Sequence, residues 1–394
     1  MSSSNIRSFL TVLFCGAIFQ FGGAFYAQTS TTAPVSGTPK AFKTPDQEKT
    51  KVEKVKDAKN ASDNPASTKP TPQAPTEGSL SRWIDFQNAN IIFLYQYSEN
   101  SKHIVTFSQL RYLASFTARL NFDRHKRFGL TAGVSTGRSF NSGYDNTGLG
   151  KGVLQTNLAL KELYFTASPV AGVEAQVGGL FINRGQNTES MSYDNDGYVT
   201  GYRVAVKRSK QFFFDEVSLT LANLAHTDKP NLNKRWYDLK HSNYHQILVS
   251  RKFGKDLTVS TDYTFHSGSE TVRQGLRYTP GQIFDSIRFE SYERLKPHRD
   301  FGFSVQADRT FWKRLTLGGG FAAIDRQFGT LNADRFGPGK RVFANSAYKF
   351  TPDLKLLFFA GLPVANSYPI GVRNRFDLWL SYNLLPALKR SGIF

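Results

Sequence analysis

From Gln109 to Phe122 the sequence alternates with period two over fourteen residues. Even positions carry Leu110, Tyr112, Ala114, Phe116, Ala118, Leu120 and Phe122; odd positions include Gln109, Arg111, Ser115, Thr117, Arg119 and Asn121. Only an extended strand sends alternate side chains to opposite faces, so this segment has one apolar and one polar face. A strand in a soluble domain is typically about 5–6 residues long. A tilted strand that crosses a bilayer needs about 9–11, with wet ends beyond. The length therefore favours a membrane-crossing strand.

The pattern recurs. Phe128, Leu130, Ala132 and Val134 alternate with Gly129, Thr131, Gly133 and Ser135. The same holds for Val173–Gly178, Tyr202–Lys207, Leu257–His266, Phe301–Asp308 and Arg375–Asn383. Around Lys161–Glu162 and Thr271–Tyr278 the period leaves room for a one-residue slip. Tight turns are predicted at Asp123–Arg127, Ser168–Gly172, Gly254–Asp256, Thr279–Gln282, Thr310–Arg314 and Thr351–Asp353. Between them fall longer polar connections: Arg138–Gly152, Ile182–Gly197, His226–Asn243, Ser291–Asp300, Asp325–Lys340 and Leu362–Asn374. The nine prolines beyond residue 80 all fall in turns, loops or the tail, as their missing N–H requires. About sixteen strands result, with both termini on one side. Short turns on one side and long loops on the other mark an outer-membrane barrel.

Composition agrees. The chain has 34 Phe, 17 Tyr and 32 Gly, residues of sheet and turn. Mean hydropathy is −0.39, which argues against a bundle of membrane helices. A charged fraction of 21% beside 14% aromatics excludes wholesale disorder, and a single cysteine excludes a disulfide framework. A soluble sandwich would show continuous core strands and shorter elements. The expected fold is thus all-β, an antiparallel transmembrane barrel of about sixteen strands over residues 81–394.

Two segments precede the barrel. Residues 1–27 look like a secretory signal peptide: Arg7, then no charge from Phe9 to Ala27. Cleavage after Ala24 or after Ala27 both fit, and Cys15 lies inside the apolar run, leaving the mature chain cysteine-free. Residues 28–80 hold seven of the 16 prolines and one aromatic, Phe42. Too little apolar surface is present to offset ordering entropy, so a disordered, partly extended periplasmic linker is expected. It could tether the barrel to peptidoglycan.

Residues Trp83–Phe394 resemble the Gram-negative porins of about sixteen strands. The hairpin LKELYFTASPVAGVEAQVGGLF, Leu160–Phe181, looks most like those of phosphate-selective and alginate-export barrels. The resemblance implies an outer-membrane homotrimer among lipid and lipopolysaccharide, delivered by the barrel-assembly machinery. It also implies a third long loop folded into the lumen and a closing aromatic at the end of the last strand. Here Phe394 follows Pro386 and a basic tail, so Tyr382 or Phe394 fills that place.

The formal charge of +19 calls for an anionic partner or path. The linker has eight Lys against six acids, so the excess belongs to the barrel. Polar-face basic residues are Arg111, Arg119, Arg203, Lys207, Lys252, Arg273, Arg277, Arg288, Arg341, Lys349, Lys355 and Arg375. Polar-face acids are Glu174, Glu216, Asp262, Glu290, Asp308 and Asp377. A basic lumen lowers the barrier for anions, and Arg pairs two oxygens of a carboxylate or phosphate. The alternative is that these charges brace the wall by pairing. By resemblance, the constriction loop would carry Arg184, Glu189, Asp194 and Asp196. Its acids, opposing Arg111 and Arg119, would set up a transverse field.

Expected function is passive diffusion of small hydrophilic, preferentially anionic solutes, with no cofactor, metal, catalysis or nucleic acid. Asp194–Gly197 lacks the later ligands of a calcium loop. His241 and His245 would stand about 13 Å apart along a strand. A plugged structural or adhesive barrel is one alternative. A barrel hydrolase is another, but Ser260, Asp262 and His266 are too far apart on their strand for a triad.

Overall fold

The computed structural model describes residues 83–394, except 101, 138–142, 145–146, 150–157, 188–197, 208–212, 225–230, 282, 326–337, 365–371 and 391–394. The expected signal peptide and linker lie outside the described residues.

The strands are β1 (Ile84–Asn100), β2 (Val105–Asn121), β3 (Phe128–Ser135), a two-residue β4 (Gly148–Leu149), β5 (Ala159–Ala167), β6 (Val173–Phe181), β7 (Tyr198–Lys207), β8 (Glu216–Asn223), β9 (Tyr244–Phe253), β10 (Leu257–His266), β11 (Ser269–Tyr278), β12 (Ser286–Lys296), β13 (Asp300–Phe311), β14 (Leu315–Ile324), β15 (Gly339–Lys349), β16 (Leu354–Pro363) and β17 (Val372–Asn383). A 3-10 helix, Leu232–Lys240, lies between β8 and β9, and a short helix α1 (Leu385–Arg390) follows β17. Sixteen long strands pair antiparallel in chain order, and β17 returns to β1, with Asn90 opposite Asn383. The sheet is therefore a closed barrel with no free edge, so the backbone ladder is satisfied without water. The short β4 carries on the line of β3, pairing Leu149 with Leu110 and Gly148 with Arg111 of β2.

Alternation sorts the two faces as expected on the outside. Phe93, Tyr95, Leu110, Phe116, Leu120, Tyr202, Val204, Leu219, Leu221, Ile247, Val342, Leu378 and Leu380 all point outward and are exposed. So continuous an apolar exterior is unsuited to water and matches a lipid-facing band. At the turn end Phe122, Phe128 and Phe165 stack, with centroids 6.2 and 6.4 Å apart, and Tyr348 meets Phe350 edge-on at 5.0 Å. Such aromatics mark the level where a bilayer meets water.

Several sequence expectations need correction. The supposed long loop Ser291–Asp300 is mostly strand: β12 runs to Lys296, and only Pro297–Arg299 connect it to β13. Its outward side chains there are Ser291 and Glu293, the latter 3.2 Å from Arg299, so the apolar alternation fades while the ladder continues. The turn after β11 is longer than Thr279–Gln282, running to Asp285. On the loop side, β10 and β11 are joined by Ser267–Gly268 alone, both with positive φ, so connection lengths do not alternate strictly. The ambiguity at Lys161–Glu162 is a bulge: Gly133 faces Glu162 and Val134 faces Leu160, which leaves Lys161 as the extra residue. Thr271–Tyr278 pairs with β10 without a slip.

Candidate functional site: the barrel interior

Register carries the polar faces to the inner wall. Toward the turn ends of their strands lie Arg119, Lys207, Lys252, Arg277, Arg288, Lys349 and Lys355. Arg119 Nη2 donates to the Lys126 carbonyl at 3.1 Å, and Lys207 Nζ lies 3.0 Å from Glu174. Lys349 stands opposite Lys355, and Arg277 opposite Arg288. Farther from the turns are Arg111, Arg203, Arg273, Arg341 and Arg375. Arg111 sits over the Phe107 ring at 3.9 Å. Arg203 donates to Thr220 Oγ1 at 3.0 Å and to the Phe181 carbonyl at 2.6 Å. Arg341 reaches the Pro338 carbonyl at 3.4 Å.

Some of these cations are spent on the wall. Arg273 and Asp262 form a buried pair at 2.7 Å, and Arg375 Nε binds Asp377 at 2.7 Å. Asp308 accepts from Ser286, and Glu216 from Asn183 Nδ2 at 3.2 Å. These bracing pairs lie mainly away from the turns.

The described start of the Ile182–Gly197 connection, the expected constriction loop, enters the lumen. Gln246 Nε2 donates to the Asn183 carbonyl at 2.6 Å, and Asn183 Nδ2 reaches Ser218 Oγ at 3.3 Å. Gln186 N donates to Ser260 Oγ at 2.7 Å. Gly275 makes room for the loop: a Cβ there would come within 2.9 Å of the Gln186 and Asn187 backbone. Ser218, Gln246, Ser260 and Gly275 all lie on the inner faces of β8 to β11, so residues 183–187 are seated on that wall. Arg184 lies in this seated turn, its carbonyl accepting from Asn187 N at 3.1 Å. Glu189, Asp194 and Asp196 lie outside the described residues. Arg111 and Arg119 are on β2, eight residues apart and hence about 27 Å along the strand.

The interior also holds what the alternation did not suggest. Ile92, Leu94, Leu113, Phe343, Leu357, Phe359 and Trp379 project inward and cluster with Tyr292 and Tyr144. The lumen is therefore not polar all round. Tyr144 belongs to an excursion between β3 and β4. Thr136 N donates to the Ala114 carbonyl at 3.0 Å, and Tyr112 N to the Thr147 carbonyl at 3.3 Å. The available signal was a run apolar on both faces, Ile91–Tyr95 and Leu356–Ala360, with Trp379 in polar phase between Asp377 and Ser381.

The residues considered for catalysis have other roles. Ser260 holds the loop, Asp262 is bound to Arg273, and His266 rests near the Tyr244 ring at 6.4 Å. His245 packs on Phe265, centroids 5.6 Å apart, on the outer face. Among the described residues no group of three or more His, Cys, Asp or Glu is placed to hold a metal.

Two solved structures of Rh. blastica porin mutants are similar to this chain. One has 14% identity over 76% of this chain and 99% of that one, with a TM-score of 0.50. The other has 13% identity with the same coverage and TM-score. No family model matches the chain. No curated protein matches it either. At such identities the likeness is one of fold: a porin-like barrel of sixteen strands.

Proposed function

We propose that the chain is an outer-membrane porin-like channel that passes small hydrophilic solutes and favours anions. The observation that carries this reading is the sorting of faces in a closed barrel. Apolar side chains face out, while Arg119, Lys252, Arg277, Arg288, Lys349 and Lys355 line the turn end of the inner wall. A water-filled, cation-lined passage lowers the entry cost of an anion and raises that of a cation. The seated turn 183–187 narrows the bore. A periplasmic placement of both termini, homotrimeric assembly, a lipid and lipopolysaccharide surround, and a peptidoglycan-reaching linker belong to the same proposal and rest on the resemblance and on segment composition.

A second reading, a plugged structural barrel, is favoured by the inner apolar cluster around Tyr144, which fills part of the bore. Single-channel recording of the purified protein in planar bilayers separates the two. The channel reading expects discrete steps and, under a KCl gradient, a reversal potential of chloride sign. Steps of potassium sign would refute the anion preference, and a silent membrane would favour the plug.

A further inference from the structure

The apolar outer wall is interrupted near its turn end. Ile247, Val249, Arg251 and Phe253 of β9 share the outward phase, with the exposed Ile247 opposite Tyr263 and Arg251 opposite Val259. Arg251 is thus a cation on the face expected to meet lipid, two residues before β9 ends at Phe253. Its guanidinium carbon lies 3.4 Å from the centre of the Phe213 ring and 5.0 Å from that of Phe253. Phe213 comes from the connection ahead of β8 and stands edge-on to Phe214 at 5.0 Å. Arg251 Nη1 is buried without a hydrogen-bond partner, while the residue as a whole is half-buried. Among the described residues no carboxylate pairs with it. The neighbouring Asp215 carboxylate accepts from Lys252 N. Arg309 of β13, also outward and toward the turns, is placed differently: it donates to the Ile283 carbonyl at 2.9 Å and lies 5.5 Å from the Phe311 ring.

We propose that Arg251, framed by Phe213 and Phe253, is a headgroup site for an anionic phospholipid of the leaflet at the turn end of the barrel. The phosphodiester sits on the guanidinium, and the acyl chains run along Val249 and Ile247. The proposal rests on the outer-membrane reading. An outward guanidinium is costly at mid-depth, and the cost fades toward the interface, where a long side chain reaches phosphate. The two rings hold the guanidinium by cation–π attraction but bring no negative charge. The counter-charge must therefore come from outside the chain, and a guanidinium fork matches two oxygens of a phosphate. Phosphatidylethanolamine carries an ammonium that competes for its own phosphate, whereas phosphatidylglycerol does not, so the site favours the latter.

The test is native mass spectrometry of the purified full-length protein, released from detergent micelles doped with phosphatidylglycerol or phosphatidylethanolamine of equal chain length. Phosphatidylglycerol should be retained at the lower concentration. Arg251→Gln should weaken that retention roughly tenfold, and Arg251→Lys, which keeps charge without the fork, should fall between. Phe213→Ala, which keeps the charge but removes its platform, should also weaken it. Sheet circular dichroism of each detergent-folded variant verifies assembly. Equal retention of the two lipids, or retention unchanged in Arg251→Gln, overturns the site and leaves the barrel standing. Displacement of the lipid by added inorganic phosphate marks a free-anion site and overturns the lipid assignment. A chain that stays monodisperse in buffer without detergent overturns the membrane reading and the site with it.

Discussion

Arg273 and Asp262 face each other across β10 and β11, Nη2 to Oδ1 at 2.7 Å, with both side chains sealed from solvent. Thr264 Oγ1 adds a donor to the same carboxylate oxygen at 3.0 Å and itself accepts from Arg273 Nη2 at 2.9 Å. The pair is a wall brace, and it removes one cation from those a passing ion meets. Arg273→Met should destabilise the barrel by about 3–5 kcal/mol, because it strands a buried carboxylate. Adding Asp262→Leu should restore much of that loss. Urea unfolding of the detergent-folded protein measures both; equal stability of the single and double variants would contradict the brace.

Gly275 is the floor on which the third loop rests. Gly275→Val puts side-chain atoms where the Gln186 and Asn187 backbone now lies, so the turn must lift from the wall. Unitary conductance should rise, with the barrel still folded. A conductance equal to that of the parent protein would mean that this turn does not limit flow.

Tyr144 fills part of the bore, packed with the inner apolar cluster. Tyr144→Ala should widen the passage and raise conductance.

Arg111→Ala and Arg119→Ala test the transverse field expected from the sequence. Arg119 stands near the turn mouth, whereas Arg111 stacks on the Phe107 ring. Anion preference, read from reversal potentials, should drop more for Arg119→Ala. Parent-like selectivity in both variants removes the field.

The β2–β3 turn carries a pH dependence of known sign. The Phe128 N–H, 2.9 Å away, and the His125 N–H, at 3.1 Å, hold the exposed Asp123 carboxyl below its usual range. Its contribution to turn stability is therefore complete above the unfolded value of about 3.9 and is lost as pH falls through the lower folded value. Amide exchange at Phe128 should quicken on acidification over that window. Asp123→Asn, which keeps the acceptor without the charge, should flatten the response.

The barrel was legible because a lipid-facing wall imposes a strict rule: every outward residue from Leu110 to Phe122 is apolar, so period two is preserved along the strand. Where strands rise above the lipid the rule lapses, and the end of β12 at Ser291–Lys296 looked like loop. The inner wall obeys no comparable rule. Water, an inserted loop or another side chain can each satisfy it, so Trp379 and Phe359 could sit in polar phase without leaving a periodic trace. Alternation placed the cations Arg277 and Arg288 on one face, but only register revealed that they stand opposite each other. The seat of the third loop was hidden for a different reason: Gly275 and Ser260 are small residues whose use depends on what approaches them.

The closure of β17 on β1 runs from Asn90–Asn383 to Asn100–Val372, between segments at the two extremes of the described chain. Loss of β17 would leave long unpaired rims on β1 and β16, facing hydrocarbon with their amides unsatisfied. Insertion into a bilayer is thus tied to the arrival of β17: it is the stave that turns a sticky ribbon into a tube.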